Sequence, residues 1–289
     1  MPRRGPSVRS RGLGAELRDL RTALGLTSRA VAEQLGWSPS TLSRLESGQR
    51  GISPEDIAAL LVVYKITGVE RDRLLDRARE ADQPGWWEAT WPGQTGLPKA
   101  LVGLIGFESQ ATRIVDVAMV LVPGLLQTAE YSRAVMVGGG LAPQAVEARV
   151  AARLGRQAIL SRPDPPELHV LLDEAALRRP VGGPAVMATQ LRHVLTAAQR
   201  PSITVQVLPF EFGAHEGAGG SFVLLEFDKG RAIVHLEHAA GSMFQDEPED
   251  VAPFVEIRDA LTARALNPAQ STDVLVEVAE EHEKKARQT

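Results

Sequence analysis

Residues 31–50, VAEQLGWSPSTLSRLESGQR, restrict what this chain can fold into more than any other stretch. Gly36 predicts the end of one short helix, because glycine adopts the positive φ of a tight turn at no steric cost. Ser38 and Pro39 predict the start of the next helix, since serine is a favoured N-cap and proline a favoured first helical residue. Two short helices joined by so tight a turn are typical of a helix-turn-helix.

The same signals recur on both sides and extend the helical pattern over residues 13–82. A stripe of leucines predicts a first helix that ends at Gly25, and Thr27 caps the second. Ser53 followed by Pro54 predicts a fourth helix, and a fifth comes after it. We therefore predict an all-α domain of five short helices. Its apolar core positions are Leu13, Leu17, Leu20, Leu24, Val31, Ala32, Leu35, Leu42, Leu45, Leu74, Leu75 and Ala78.

The third predicted helix carries small or basic side chains on its outward face. Such a face fits the major groove of DNA, where an arginine at a guanine edge contributes on the order of 1–3 kcal/mol of discrimination. Arg44 is therefore the predicted base reader, and a solvated surface arginine is the alternative. Ser28, Arg29 and Arg50 are predicted to contact phosphates, which adds affinity without sequence information. The outward residues of the helix are Pro39, Ser40, Ser43, Arg44 and Ser47.

Charge is distributed unevenly along the chain. Residues 1–50 hold nine arginines and four acidic residues, a net charge of +5, whereas the other 239 residues carry −9 and bring the total to −4. A basic front on an acidic body indicates that one end meets a polyanion. Residues 1–12 are predicted to be a flexible basic arm, for which DNA contact and plain disorder both stay open.

Composition marks a boundary after the helical region. Residues 83–98 are rich in Trp, Pro and Gly and are predicted to be a linker. Its tryptophans, Trp86, Trp87 and Trp91, favour packing between domains over a cage for a ligand.

Residues 99–289 mix helical and strand-like patterns, which predicts an α+β domain. The last three strand-like runs follow one another closely and predict an antiparallel sheet. Helices are predicted near residues 99–111, 143–160, 185–199, 248–265 and 268–284. Strands are predicted near residues 168–173, 203–210, 221–227 and 232–238. Residues 113–122 fit either a buried strand or a helix, and a strand is favoured.

Several classes of protein are disfavoured by composition alone. The chain contains no cysteine, which excludes disulfides and thiolate metal sites and fits a reducing cytoplasm. Its longest apolar run is about eight residues, far below the roughly 20 that a membrane-spanning helix needs. We predict a cytoplasmic protein that uses no membrane, metal or cofactor.

No motif in the C-terminal region predicts catalysis. The glycine-rich segment 213–220 lacks the Lys-Ser/Thr of a phosphate-binding loop. His235 and Glu237 share one face of a predicted strand and His238 lies on the other, so a three-ligand metal site fails on geometry. Asp173 and Glu174 leave open a metal-dependent hydrolase or nuclease directed by the DNA-binding domain, although a turn at a strand end is favoured. We assign no catalytic residue and predict that the chain is not an enzyme.

Residues 13–63 resemble the helix-turn-helix of phage-repressor-like regulators, the Xre family, whose domain is lambda-repressor-like. The resemblance runs through LRDLRTALGLTSRAVAEQLGWSPSTLSRLESGQR. It implies that Arg21 and Glu46 form a partly buried ion pair between the first helix and the end of the recognition helix. Ser28, Ser40, Ser43 and Arg44 then stand where the family contacts DNA. Proline at position 39 is a departure, because many relatives carry a polar side chain there.

The C-terminal region resembles one uncharacterised domain found in regulators of high-GC Gram-positive bacteria, where it follows an Xre-type helix-turn-helix. The resemblance rests on segments such as LVPGLLQTAEYSRAV, LHVLLDEAALRRPVGG and ITVQVLPFEFGAHEGAGGSFVLLEF. Members are often described as antitoxin-like and are often encoded beside a small protein. The resemblance therefore implies a partner protein or a small effector for this domain.

Together these observations predict a sequence-specific, antitoxin-like transcriptional regulator. We expect a homodimer on an inverted-repeat operator in double-stranded DNA, with recognition helices about 34 Å apart. A protein-interaction module whose helix-turn-helix has lost DNA binding is a further alternative.

Overall fold

The computed structural model of the protein describes residues 8–47, 52–82, 99–228, 230–238 and 241–288. The chain divides into two compact units. The first unit contains the N-terminal helical region together with residues 101–110 and 228–231, and the second contains the rest of the described chain.

Five helices form the N-terminal region, as the sequence predicted. The first helix begins at Val8 rather than at Leu13, so the last part of the predicted basic arm is helical. No proline interrupts the chain after Pro6 until the turn at Gly25, which lets the helix start early. Residues 1–7 lie outside the described ranges. The helices are α1 (Val8–Ala23), α2 (Ser28–Gln34), α3 (Pro39–Glu46), α4 (Pro54–Val63) and α5 (Gly68–Asp82).

Side-chain caps fix the starts of the three central helices. The hydroxyl of Thr27 accepts the backbone N–H of Ala30 at 3.2 Å, and Ser38 accepts that of Thr41 at 3.2 Å. Ser53 caps α4 in the same way. The turns before α2 and α3 place Gly25 at φ +67° and Gly36 at φ +65°. The predicted helix boundaries at these glycines and caps are confirmed.

A buried leucine-rich cluster holds the first unit together. Leu13, Leu17, Leu42 and Leu45 are fully buried in it, and Leu20, Leu35 and Trp37 pack against it. The prediction for Leu24 is wrong, because this side chain is 50% exposed at the end of α1. Leu24 immediately precedes the turn at Gly25, so its backbone already leaves the packed face.

The second unit is built on one mixed sheet of six strands. The strands are β1 (Arg113–Ala118), β2 (Glu167–Asp173), β3 (Ile203–Leu208), β4 (Phe222–Glu226), β5 (Ile233–His238) and β6 (Gly241–Gln245). Their order in the sheet is β3-β2-β1-β4-β5-β6. β2 pairs in parallel with β1 and β3, whereas β1, β4, β5 and β6 pair in antiparallel fashion. The α+β prediction is confirmed, but the sheet is not antiparallel throughout.

The position of β3 explains this difference. Long helical crossovers join β1 to β2 and β2 to β3, and such crossovers produce parallel neighbours. The predicted meander of 203–210, 221–227 and 232–238 therefore fails at its first member, which lies at the far edge of the sheet. The meander that forms consists of β4, β5 and β6, and β6 was not predicted.

Seven further α-helices follow α5 in the part of the chain that the structure describes. The helical patterns predicted near residues 99, 143, 185, 248 and 268 are all present, whereas the helices at Ala129–Gly138 and Glu174–Arg178 were not predicted. The helices are α6 (Lys99–Glu108), α7 (Ala129–Gly138), α8 (Pro143–Arg156), α9 (Glu174–Arg178), α10 (Pro184–Ala197), α11 (Pro248–Arg264) and α12 (Pro268–Ala286).

Helices flank the sheet of the second unit. Val251 and Leu261 of α11 are buried with Val117 and Leu171 in an apolar cluster on one sheet face. α10 and α12 pack against each other, and α12 also contacts β3. None of the helices in the described ranges combines the length and apolar character that a bilayer crossing requires.

Candidate nucleic-acid interface

Helix α3 buries one face and exposes the other. Leu42 and Leu45 are fully buried, and Glu46 at the end of the helix is also buried. The opposite face is formed by the residues that the sequence predicted to point outward. Pro39, Ser40, Ser43 and Arg44 are exposed, whereas Ser47 is half-buried.

The Arg44 guanidinium makes one hydrogen bond within the described ranges and has further donors. Its Nε donates to the backbone carbonyl of Ser40, one turn earlier, at 3.0 Å. Its two terminal nitrogens have no partner within the described ranges, and these are nitrogens that a guanidinium offers to a guanine edge. The Ser40 hydroxyl lies 2.9 Å from the Ser38 hydroxyl, so the N-cap also orients this exposed side chain.

Two other predicted contact residues lie at the start of α2. Arg29 is exposed and Ser28 is half-buried there. Arg50 and the three tryptophans Trp86, Trp87 and Trp91 lie outside the described residues.

An ion pair anchors the end of α3 to α1. Arg21 Nε donates to Glu46 Oε1 at 2.6 Å and its Nη2 donates to Oε2 at 3.0 Å, a bidentate arrangement. Nη1 of the same guanidinium donates to the carbonyl of Leu26 at 2.8 Å. The side chains are only 13% and 5% exposed. The structure thus contains the pair that the family resemblance implied, and the hydrogen bonds to Glu46 raise the pKa of Arg21.

A buried tyrosine adjoins this ion pair. Tyr64, which follows α4, is almost fully buried. Burial and the nearby Glu46 carboxylate both raise the pKa of the Tyr64 hydroxyl. Glu46 therefore contributes to the raised pKa values of both Arg21 and Tyr64.

The sequence analysis missed a second anchor of α3. A Cβ built on Gly14 of α1 would lie 2.4 Å from the carbonyl oxygen of Leu45 and 2.8 Å from that of Glu46. Only a residue without a side chain permits this approach of α1 to α3. A glycine inside a helix costs about 1 kcal/mol relative to alanine and usually has a packing reason. A glycine inside the predicted first helix, at position 14, was therefore the sequence signal for this close contact.

Comparison with known families identifies both units. Residues 12–74 match a helix-turn-helix domain family. Residues 101–277 match the family described as a domain of unknown function, DUF5753, over more than half of the chain. The chain belongs to the DUF5753 family.

One curated relative of this DUF5753 protein is the propionyl-CoA carboxylase regulator of Cereibacter sphaeroides. The two are 40% identical over 73 residues, which is 24% of this chain and 16% of the relative. The match therefore spans less than a fifth of the length of that relative. No solved structure matches the chain.

Asp173 and Glu174 lie at the junction between β2 and α9 in the second unit, which we call the DUF5753 unit. Asp173 Oδ1 accepts the backbone N–H of Ala175 at 2.7 Å and caps α9. Its Oδ2 lies 3.2 Å from His215 Nε2. Glu174 pairs with Arg178 at 2.5 Å. Within the described ranges, no three His, Asp or Glu side chains are grouped so that they would hold a metal ion.

Because the DUF5753 unit contains two buried histidines, its free energy of unfolding is expected to depend on pH. Burial lowers the pKa of His169 and of His235. Below about pH 6.5, the ordinary histidine value, the unfolded chain binds more protons than the folded one. The free energy of unfolding is therefore expected to fall as the pH drops below about 6.5 and to gain nothing from these groups above it. Urea unfolding of the full chain at a series of pH values measures this.

Urea unfolding of two variants at the same pH values shows whether His235 causes this pH dependence. His235→Phe keeps the stacking on Phe244, whose ring centroid lies 4.7 Å away, and is expected to flatten the pH dependence. His238→Gln, at an exposed position, is the matched control. If the slope in His235→Phe equals that of the wild type, burial of His235 is not a source of the pH dependence.

Proposed function

We propose that this chain is a sequence-specific, DNA-binding transcriptional regulator of the Xre type, and that α3 enters the major groove. The observation that carries the proposal is the two-sided character of α3. Its inner face is anchored through Leu42, Leu45 and Glu46, and its outer face offers Ser40, Ser43 and Arg44. The helix-turn-helix match and the regulator name of the Cereibacter sphaeroides relative support the same class.

The anchoring of α3 matters because direct readout requires a fixed helix. A bidentate arginine–carboxylate pair provides such a constraint, since its planar fork allows one relative orientation. The pair between Arg21 and Glu46 ties the C-terminal end of α3, and the Ser38 cap fixes its N-terminal end. The exposed side chains between these two points are then presented in one arrangement.

Substitution of single arginines by alanine distinguishes a residue that reads a base from one that contacts a phosphate. Arg44→Ala is expected to reduce the preference for an operator over scrambled DNA by about 1–3 kcal/mol, because it removes a bidentate contact to a base. Arg29→Ala is expected to weaken both duplexes about equally and to lower the salt slope by about 0.9, because a phosphate contact carries no sequence information. Fluorescence anisotropy titrations of the full chain over a range of salt concentrations measure both quantities.

A third arginine serves as the control for these titrations. Arg79 is exposed on α5 and pairs with Asp76 at 2.7 Å, so Arg79→Ala is expected to change neither preference nor salt slope. If Arg44→Ala keeps the wild-type ratio of operator to scrambled affinity, Arg44 does not read a base.

We further propose a cytoplasmic homodimer on an inverted repeat, with no enzymatic activity. In this proposal the DUF5753 unit binds a small partner protein or an effector, in keeping with an antitoxin-like regulator. The structural roles of Asp173 and Glu174 at the β2–α9 junction favour it over a hydrolase or nuclease.

Mapping of the genomic binding sites of the full chain tests the regulatory role. The proposal predicts one recurring inverted repeat, with sites at its own promoter and beside a small neighbouring gene. Binding spread evenly along the genome would contradict sequence-specific regulation.

A further inference from the structure

One sheet face of the DUF5753 unit changes from apolar to polar along its parallel strands. The strand register places Val117 of β1 beside Leu171 of β2, and both are buried beneath α11. Two residues earlier on each strand, Val115 of β1 pairs with His169. Toward the start of the three parallel strands, the same face carries polar side chains, which are Arg113, Glu167, His169, Thr204 and Gln206.

These polar side chains surround a cavity. Together with Leu168, Pro201 and Ser202 they line a space of about 320 Å³. This volume is at the lower end of the range for small-molecule sites. Polar groups that converge on a cavity in this way fix the orientation of a ligand. The cavity lies within the second unit and shares no residue with the α3 surface.

Hydrogen bonds fix the histidine that lines the cavity. Gln206 Nε2 donates to the carbonyl of Leu266 at 3.0 Å, so its Oε1 is the atom that faces His169. His169 Nε2 lies 2.8 Å from that oxygen and must therefore carry the proton. Burial lowers the pKa of His169, so the ring is neutral near pH 7. Its Nδ1 then has a lone pair and no partner within the described ranges, and it is set to accept a hydrogen bond.

Both signs of charge lie at the cavity, and Glu167 is the less compensated of the two carboxylates near Arg113. Arg113 lies 3.1 Å from Glu226 and 3.7 Å from Glu167, so two carboxylates oppose its charge. Glu226 is also bound by Arg258 at 2.8 Å. Glu167 has only the distant contact to Arg113, and its side chain is 76% exposed. Besides the Arg113 guanidinium, the cavity therefore presents a carboxylate, an imidazole nitrogen and the hydroxyls of Ser202 and Thr204, each of which can accept a hydrogen bond.

We infer that this cavity binds a small hydroxylated amine, with the ammonium on Glu167 and a hydroxyl donating to His169 Nδ1. The hydroxyls of Ser202 and Thr204 contact the remaining polar groups of the ligand. A role for this ligand as the effector of a transcriptional regulator rests on the proposed function, whereas binding of the ligand to the cavity does not.

Binding of three related sugars to the full chain tests the inference. Glucosamine carries both an amine and hydroxyls, glucose lacks the amine, and glucuronate carries a negative charge. Isothermal titration calorimetry is expected to show saturable binding of glucosamine, weaker binding of glucose and none of glucuronate. If glucosamine fails to bind, or if glucuronate binds as tightly, the inference is wrong.

Variants locate the site. Glu167→Gln is expected to weaken glucosamine about tenfold, as for a lost charge-assisted hydrogen bond, and to leave glucose unchanged. Thr204→Val is expected to weaken both sugars, and His169→Phe likewise if the variant folds. Glu256→Gln, at an exposed position on α11, is the control for the loss of one charge. Equal weakening by Glu167→Gln and Glu256→Gln would overturn the assignment of the site.

Operator binding by the same protein samples distinguishes the two proposals. Sugar binding without any sequence-specific DNA binding would refute the proposed function and leave the cavity assignment intact. Sequence-specific DNA binding without sugar binding would do the reverse.

Discussion

Replacement of Glu46 by alanine is expected to lower the free energy of unfolding of the helix-turn-helix unit by about 3–5 kcal/mol. The loss is large because the Arg21 guanidinium stays in place, only 13% exposed, without its carboxylate partner. An uncompensated buried charge costs more than the ion pair itself contributes. Native-state hydrogen exchange of the full chain, read on peptides from α1, α3 and α4, measures the loss within this unit.

A surface carboxylate provides the matched control. Glu70 pairs with Arg73 at 2.6 Å, but both side chains are exposed, so Glu70→Ala is expected to lower the free energy of unfolding far less than Glu46→Ala. The double variant Arg21→Met with Glu46→Leu removes both charges and is expected to recover most of the stability. Equal effects of Glu46→Ala and Glu70→Ala would show that the pair between Arg21 and Glu46 does not anchor α3.

Replacement of Gly14 by alanine is the second change with a large expected effect. The new methyl group would overlap the carbonyl oxygen of Leu45, which is backbone and cannot turn away as a side chain can. Overpacking of this kind costs about 1–3 kcal/mol. Because α3 must move away from α1, we also expect weaker operator binding by the folded protein.

Gly138 separates this effect from a general glycine effect. It lies near the end of α7, and a Cβ built there meets no atom within 4 Å. Gly138→Ala is therefore expected to be neutral or slightly stabilising, because alanine reduces the conformational entropy of the unfolded chain. Urea unfolding and operator titration of both variants make the comparison. A Gly14→Ala protein with wild-type stability and affinity would contradict the close contact.

The local structure of the helix-turn-helix could be predicted because short-range rules determine it. Gly36 needs a positive φ, Ser38 caps its own helix, and Pro39 fits the first helical turn. Each of these effects acts within four residues, so the sequence alone contains it. The pair between Arg21 and Glu46 followed from a family resemblance, because nothing in the residues themselves links positions 25 apart.

The topology of the DUF5753 unit depends on long-range contacts that no local pattern contains. The runs at β3 and β4 are both strand-like, yet a loop carries β4 past β2 to the side of β1. The polar cavity arises in the same way, since His169 and Gln206 meet only because β2 and β3 lie side by side. The close contact at Gly14 likewise depends on how two helices cross.

The central claim is that the outer face of α3 reads DNA. Its most direct test is the selection of binding sites from random duplex DNA by the full chain. The account predicts one inverted-repeat motif with half-sites about 10–10.5 base pairs apart. It also predicts that Arg44→Ala loses the preference for guanine at one symmetric pair of positions and keeps the rest. No enrichment by the wild type, or an identical motif from wild type and Arg44→Ala, would contradict it.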